Sequence, residues 1–145
     1  MRVERSIGID SPPEDVFAVV GDMRRDPEWC KRVLSSEQVQ GEGPGEGARY
    51  RAVHRPQRLR KPMDLDVRVQ SFDPPRSMRL REQDSDGVFD VTYELEPNGS
   101  GGTRITQRSD VDLSLPRVLH PIGRFEIGRH LREQLAALKQ LVENA

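Results

Sequence analysis

The sequence predicts an α+β fold in which one long C-terminal helix lies on a sheet of seven antiparallel strands. Three observations carry this. From His130 onward, Leu131, Leu135, Leu138 and Val142 recur at steps of three and four and share one helical face, while Arg132, Glu133, Lys139 and Glu143 fall mostly on the other. Before that helix, runs of alternating apolar and polar residues are separated by Gly-, Pro- and Asp-rich turns, the pattern of half-buried strands. The chain has 145 residues, read as a single domain over 1–145 with one core. A helix filling 116–143 would hold about 28 residues and run roughly 42 Å, the width of a small domain.

Composition narrows the function classes. Hydrophobic residues make up 34% of the chain and charged residues 32%, so the core must be economical. The 23 basic and 24 acidic residues leave a net charge of −1, which gives no general argument for nucleic acid or for an anionic membrane. The one cysteine, Cys30, excludes an internal disulfide and suits a reducing compartment. The longest apolar run, Val16 to Val20, is far too short to span a bilayer, and Met1-Arg2-Val3-Glu4-Arg5 has no apolar region to act as a secretion signal. The expectation is a cytoplasmic protein with no integral membrane association. The sequence assigns no oligomeric state.

The first strand spans 2–10, with Val3, Ile7 and Ile9 on one side. Arg5 shares that side, so it sits at the sheet rim, is turned out by a bulge, or points inward and needs a partner. Ser11-Pro12-Pro13-Glu14 starts a helix, with Ser11 as cap, Pro12 at the first helical position and Glu14 closing a capping box. Val16, Phe17 and Val20 form its apolar face, and Gly21-Asp22 ends it. A second short helical piece follows at Asp26-Pro27-Glu28-Trp29, capped by Asp26 and led by Pro27.

A weak strand covers 33–40. The glycine-rich stretch 41–47 lacks the Lys-Ser/Thr pair and the following helix of a phosphate loop, so it reads as a turn. Strand 48–55 puts Tyr50, Ala52 and His54 on one face. The loop 55–62 carries four cations in eight positions, either as a solvated hairpin end or as a gate for an anionic ligand. Strand 63–70 turns Met63, Leu65, Val67 and Val69 inward; strand 77–83 does so for Met78, Leu80 and Glu82. Asp84-Ser85-Asp86-Gly87 is a hairpin turn. Strand 88–96 directs Phe89, Val91, Tyr93 and Leu95 inward, and strand 103–113 directs Ile105, Gln107, Ser109, Val111 and Leu113. The outer faces mix arginines with acids, which reads as a solvated sheet surface with cross-strand pairs rather than a nucleic-acid surface.

In this order the chain resembles the START/Bet v 1-like (SRPBCC) superfamily and, within it, the bacterial polyketide cyclase/dehydrase-like group. The likeness rests on residues 9–17 (Ile-Asp-Ser-Pro-Pro-Glu-Asp-Val-Phe), Asp22 through Trp29, Gly41-Glu42-Gly43-Pro44 with Gly47, residues 91–95 and 102–106, and the helix terminus 135–143. It spans nearly the whole chain, and the ordered set is more specific for fold than for function. The resemblance implies a helix-grip fold: a curved sheet wrapped around the long helix, two short helices between strands 1 and 2, and a cavity that takes an apolar or amphipathic small molecule. Superfamily members include lipid carriers, metabolite binders and aromatic-forming cyclases, among which fold alone does not choose.

Parity supplies the residues that would face such a cavity: Tyr50 and His54; Met63, Leu65 and Val67; Met78 and Leu80; Phe89, Val91 and Tyr93; and Gln107. Trp29, from the short helices, and Ile122 and Phe125, from the helix, complete the candidate ligand contacts. Each can equally be a core residue. Acid–base chemistry needs an acid and a base in a dry pocket, for which His54, Glu82 and Tyr93 are the candidates. His54, His120 and His130 are too scattered to show metal-ligand spacing, and no cofactor is implied. Pro121 should begin or kink the helix, and Gly123 and Gly128 weaken its next turns, so residues 116–128 are read either as an ordinary helix start or as a cavity entrance. Three functions stay open: a binder of a hydrophobic or amphipathic small molecule, lipid- or polyketide-like; a cyclase or dehydratase; and a protein-interaction module.

Overall fold

Alternation does build seven strands. The computed structural model describes residues 1–113 and 115–145, with the Leu113 side chain outside the described set. The elements run β1 (Arg2–Ile9), α1 (Pro13–Val20), a 3-10 helix (Met23–Glu28), β2 (Val33–Gln40), β3 (Arg49–His54), β4 (Met63–Asp73), β5 (Ser77–Gln83), β6 (Gly87–Pro97), β7 (Thr103–Leu113), a 3-10 turn (Arg117–Leu119) and α2 (His120–Glu143). The strands form one antiparallel sheet in the order β1-β7-β6-β5-β4-β3-β2. The two short helices therefore carry the chain from one edge of the sheet to the other, and α2 closes the concave side. This is the helix-grip arrangement.

The leucine stripe anchors α2. Leu131, Leu135, Leu138 and Val142 are all buried, the last three in one cluster with Ile9, Val16, Leu95 and Ile105. Each such side chain contributes roughly 1.5–3 kcal/mol by leaving water. The helix begins at His120 and not at 116; the preceding residues form the 3-10 turn. Pro121 lies in the first turn, where its missing donor costs nothing, so it starts the helix without kinking it.

Three local expectations change. Ser11 does not cap α1, and no capping box forms. Pro12 occupies the N-cap position, so Ser11 lies one residue too early to cap, and its carbonyl accepts from Thr103 Oγ1 at 2.7 Å. The second helix starts at Met23 and is capped by Asp22, whose Oδ1 accepts from the Arg24 amide at 3.1 Å. Asp26 is thereby freed from capping. β4 runs on to Asp73 past a bulge between Val69 and Ser71. The extra residue reverses the parity beyond it, so Phe72 turns to the core and meets Phe17 edge-on at 5.2 Å.

Arg5 resolves differently from a bulge. The β1–β7 register is unbroken, and Arg5 lies half-buried under α2 at Gly128. A Cβ on residue 128 would collide with the Arg5 guanidinium, so this glycine makes room for a crossing side chain. The outer sheet face carries the expected cross-strand pairs, among them Arg2–Asp110 (2.9 Å), Arg81–Asp90 (3.0 Å) and Arg108–Glu4 (3.2 Å). Each adds about 0.2–1 kcal/mol. The glycine-rich stretch is the β2–β3 turn, with Gly41, Gly43 and Gly47 at positive φ.

Candidate functional site

The concave face of the sheet is not uniformly filled. Its half toward α1 is solid: Tyr50, Val67, Met78 and Leu80 pack in one cluster with Phe17, Val20, Met23 and Trp29. Its half beneath the first turns of α2 encloses a cavity of about 490 Å³. Leu65, Glu82, Phe89, Val91, Tyr93 and Gln107 rise into it from the strands. Leu119, Ile122, Gly123, Glu126, Ile127 and His130 roof it, and Asp26, Cys30 and Arg32 enter from the segment before β2.

Of the residues read from parity, His54, Leu65, Phe89, Val91, Tyr93 and Gln107 line this cavity, as does Ile122 from the helix. Tyr50, Val67, Met78 and Leu80 do not, because the short helices cover that part of the face. Trp29 stands behind Tyr93, edge-on at 6.4 Å, as a packing residue. Met63 opens β4, where its sulfur accepts from Ser85 Oγ at 3.5 Å. Phe125 is 67% exposed and borders a shallow outer depression with Arg5, Arg117 and Arg124. Val118 and Ile122, which follow the helical period with Phe125, are also mostly exposed. That stripe continues the helical period but lies to the side of the face that meets the sheet.

The three catalytic candidates all face the cavity. Burial, with the charge of Asp84 beside it, pushes the Glu82 carboxyl up to about 7. Burial likewise raises Asp26 well above the usual carboxylate range, aided by Glu82 and Asp22. The Tyr93 hydroxyl accepts from Gln107 Nε2 at 3.1 Å, and burial holds it strongly in the phenol form. Gln107 Nε2 also reaches Gln134 Oε1 at 3.3 Å, which ties the floor of the cavity to its roof. Among the described residues Gln107 Oε1 has no partner.

His54 is held by Asp84, whose Oδ2 lies 2.9 Å from His54 Nε2. A carboxylate only accepts, so Nε2 carries the proton and Nδ1 keeps its lone pair. Asp84 is fixed in turn by the amides of Asp86 and Gly87, which donate to its Oδ1 at 2.8 and 3.1 Å. Burial lowers the His54 pKa against the pull of Asp84. His130 falls further, to about 3, through burial and the charges of Arg32 and His54, so it is neutral near pH 7. Burial raises the Cys30 pKa, keeping a thiol. Arg60, from the basic loop, pairs with Asp86 and thereby ties that loop to the β5–β6 turn. Leu59 at its tip is exposed.

Asp26, Arg32, Asp84, His130 and Gln134 belong to the cavity but not to the parity list. Asp26 and Asp84 carry the sequence signals of a cap and a turn, and Arg32 lies outside any periodic segment. The helix did hold a signal: Glu126, His130 and Gln134 recur every four residues beside the leucine stripe. Among the described residues no group of three His, Cys, Asp or Glu side chains is placed to hold a metal ion, and no helix is long and apolar enough to cross a membrane.

A family model described as polyketide cyclase/dehydrase and lipid transport matches residues 1–143. No curated protein matches the chain in sequence. Among solved structures, a START superfamily protein from Mycobacterium smegmatis is similar at 18% identity and TM-score 0.86, over 99% of this chain and 97% of its own. A protein from Thermus thermophilus matches at 21% identity and TM-score 0.80, over 99% and 98%. The Zhui aromatase/cyclase from a Streptomyces species matches at 14% identity and TM-score 0.79, over 99% and 93%. At such identities these likenesses speak for the fold alone.

Proposed function

The chain belongs to the polyketide cyclase/dehydrase and lipid transport family, and from that premise we propose that it binds an amphipathic small molecule, lipid- or polyketide-like, between the sheet and α2. One observation carries this reading. The cavity of about 490 Å³ is lined by apolar side chains from sheet and helix together with many polar and charged ones, the make-up of a site that selects a molecule with both characters. Leu65, Phe89, Val91, Ile127 and Leu131 supply the apolar surface; Glu82, Tyr93, Gln107 and Gln134 supply the hydrogen bonds. An interior left open at this scale speaks against a module that works only through its outer surface.

Native mass spectrometry of gently purified protein tests the reading. A small apolar molecule should travel with the chain or be taken up from a panel of fatty acids, sterols and flavonoid-like compounds. Failure across that panel removes the support for a binder.

A second reading, an acid–base enzyme of cyclase or dehydratase type, is favoured by one specific feature. A carboxyl titrating at about 7 shares a secluded space with a histidine oriented by an aspartate. In a dehydration, His54 Nδ1 would take the proton from a carbon next to a carbonyl. Glu82 would protonate the β-hydroxyl, which leaves as water while the C–H electrons form the new double bond. Solvent exchange would then return the proton from His54 to Glu82. With a substrate in hand, Glu82→Gln and His54→Ala should each abolish turnover and leave binding within a few-fold; unchanged turnover would exclude the replaced residue.

A further inference from the structure

The cavity has two electrostatic poles. At one, Glu82 is near enough to act on Asp26, Cys30 and Tyr93, and burial presses all four toward their neutral forms. At the other, Arg32 stands close to both histidines: its charge acts on His54 and on His130. Placement follows from the backbone. Arg32 immediately precedes β2, whose first residue, Val33, pairs with His54, and the Arg32 carbonyl accepts from the Arg55 amide at 2.8 Å.

Arg32 is half-buried, and among the described residues its guanidinium makes no hydrogen bond and has no carboxylate within 4.0 Å. The other arginine of the cavity wall, Arg60, is already spent on Asp86. The neighbouring acids are engaged too: Asp84 with His54 and two amides, and Glu126 with Arg129 at 2.8 Å. Glu133, the acid whose charge acts most on Arg32, ahead of Glu126, is itself exposed to solvent. A guanidinium carries five donors in a fork that matches a carboxylate, and here none of them is committed to an acceptor among the described residues. Beside it His130 is neutral and offers a ring N–H without adding or opposing charge.

We propose that Arg32, flanked by His54 and His130, is the subsite for the carboxylate of an amphipathic organic acid. The acid's apolar body lies along Leu65, Phe89 and Val91, and any hydroxyl or carbonyl at its far end meets Glu82 and Tyr93. The opposite orientation would bring the carboxylate against Asp26 and Glu82. This inference rests on the cavity being a binding site and narrows what it binds to acids.

The test compares acids with their uncharged amides: decanoic acid with decanamide, and 2-naphthylacetic acid with 2-naphthylacetamide, by titration calorimetry at pH 7.5. The wild-type protein should bind each acid roughly ten- to a hundredfold more tightly than its amide, the effect of a charge-assisted hydrogen-bonded pair. Arg32→Gln should erase that preference while leaving amide binding unchanged, and Arg32→Lys should keep part of it. Equal binding of acid and amide by the wild type overturns the carboxylate subsite and leaves the cavity reading standing. Binding of neither class overturns both. The comparison on the wild-type protein also decides the matter if the variants fail to fold.

Discussion

The two halves of α2 obey different rules. From Leu135 on, the apolar stripe points into packed side chains; Leu135 is 1% exposed and Leu138 0%. From His120 to His130 the same helix roofs a void, and its exposed side carries Ile122 at 63% and Phe125 at 67%. One element therefore does two jobs. Its second half is held by close packing and holds the fold; its first half forgoes that packing and leaves open the space to which we assign a ligand. On the proposed function, stability and recognition are separated along one helix by about three turns.

Truncating the two halves gives the largest expected contrast. Leu138→Ala should cost about 2–5 kcal/mol in urea denaturation, because it opens a hole in a filled core. Ile122→Ser should stay within about 0.5 kcal/mol of wild type, as exposed substitutions do, yet alter ligand uptake at the cavity roof. Similar losses at the two positions would erase the distinction.

Acid and alkali sharpen the contrast next. Glu82 titrates at about 7 in the fold, above the 4.5 of a free glutamate, so the native state holds its proton more firmly. The stability this contributes is complete below pH 4.5 and lost as pH rises toward 7, by about 3 kcal/mol at most. His130 has the opposite sign: its pKa falls from 6.5 to about 3, so its contribution is complete above pH 6.5 and lost as pH falls toward 3. Between pH 4.5 and 6.5 the two slopes oppose. In denaturation profiles against pH, Glu82→Gln should flatten the loss on the neutral side and His130→Gln the loss on the acid side. An unchanged pair of slopes would mean that neither group is as secluded in solution as its place in the cavity requires.

Hydrogen exchange probes the smallest difference. Amides in the first half of α2 should exchange at least about tenfold faster than those from Leu131 to Val142, equivalent to about 1.4 kcal/mol less protection. Uniform protection along the helix would deny that its first half opens more readily.

Much of the fold and part of the cavity are legible in the sequence, for reasons that differ by element. Strands with one buried face write their register as alternation, and alternation alone directs His54, Glu82, Tyr93 and Gln107 inward. Alternation stops informing where an extra residue enters: the bulge after Val69 sends Phe72 to the core against its parity. It is also silent on what covers a face, so Met78 and Phe89 look alike in sequence although one lies under α1 and the other under a void. The remaining polar groups of the cavity meet only through tertiary contacts. Asp84 carries the signal of a turn, and its bond to His54 spans thirty residues that local pattern does not connect.

The order of the strands has a consequence for time as well as shape. β1 is the first strand to be made, and its neighbour in the sheet is the last, with Arg2 opposite Asp110 and Ile9 opposite Thr103. Until the final hairpin exists, β1 has no partner, and α2, which packs against it, comes later still. Closing a loop of such length before any reward slows folding and leaves a strand edge open meanwhile. The earliest-made part of this chain is thus among the last to find its place, and substitutions along β1 should be felt mainly in the rate of unfolding.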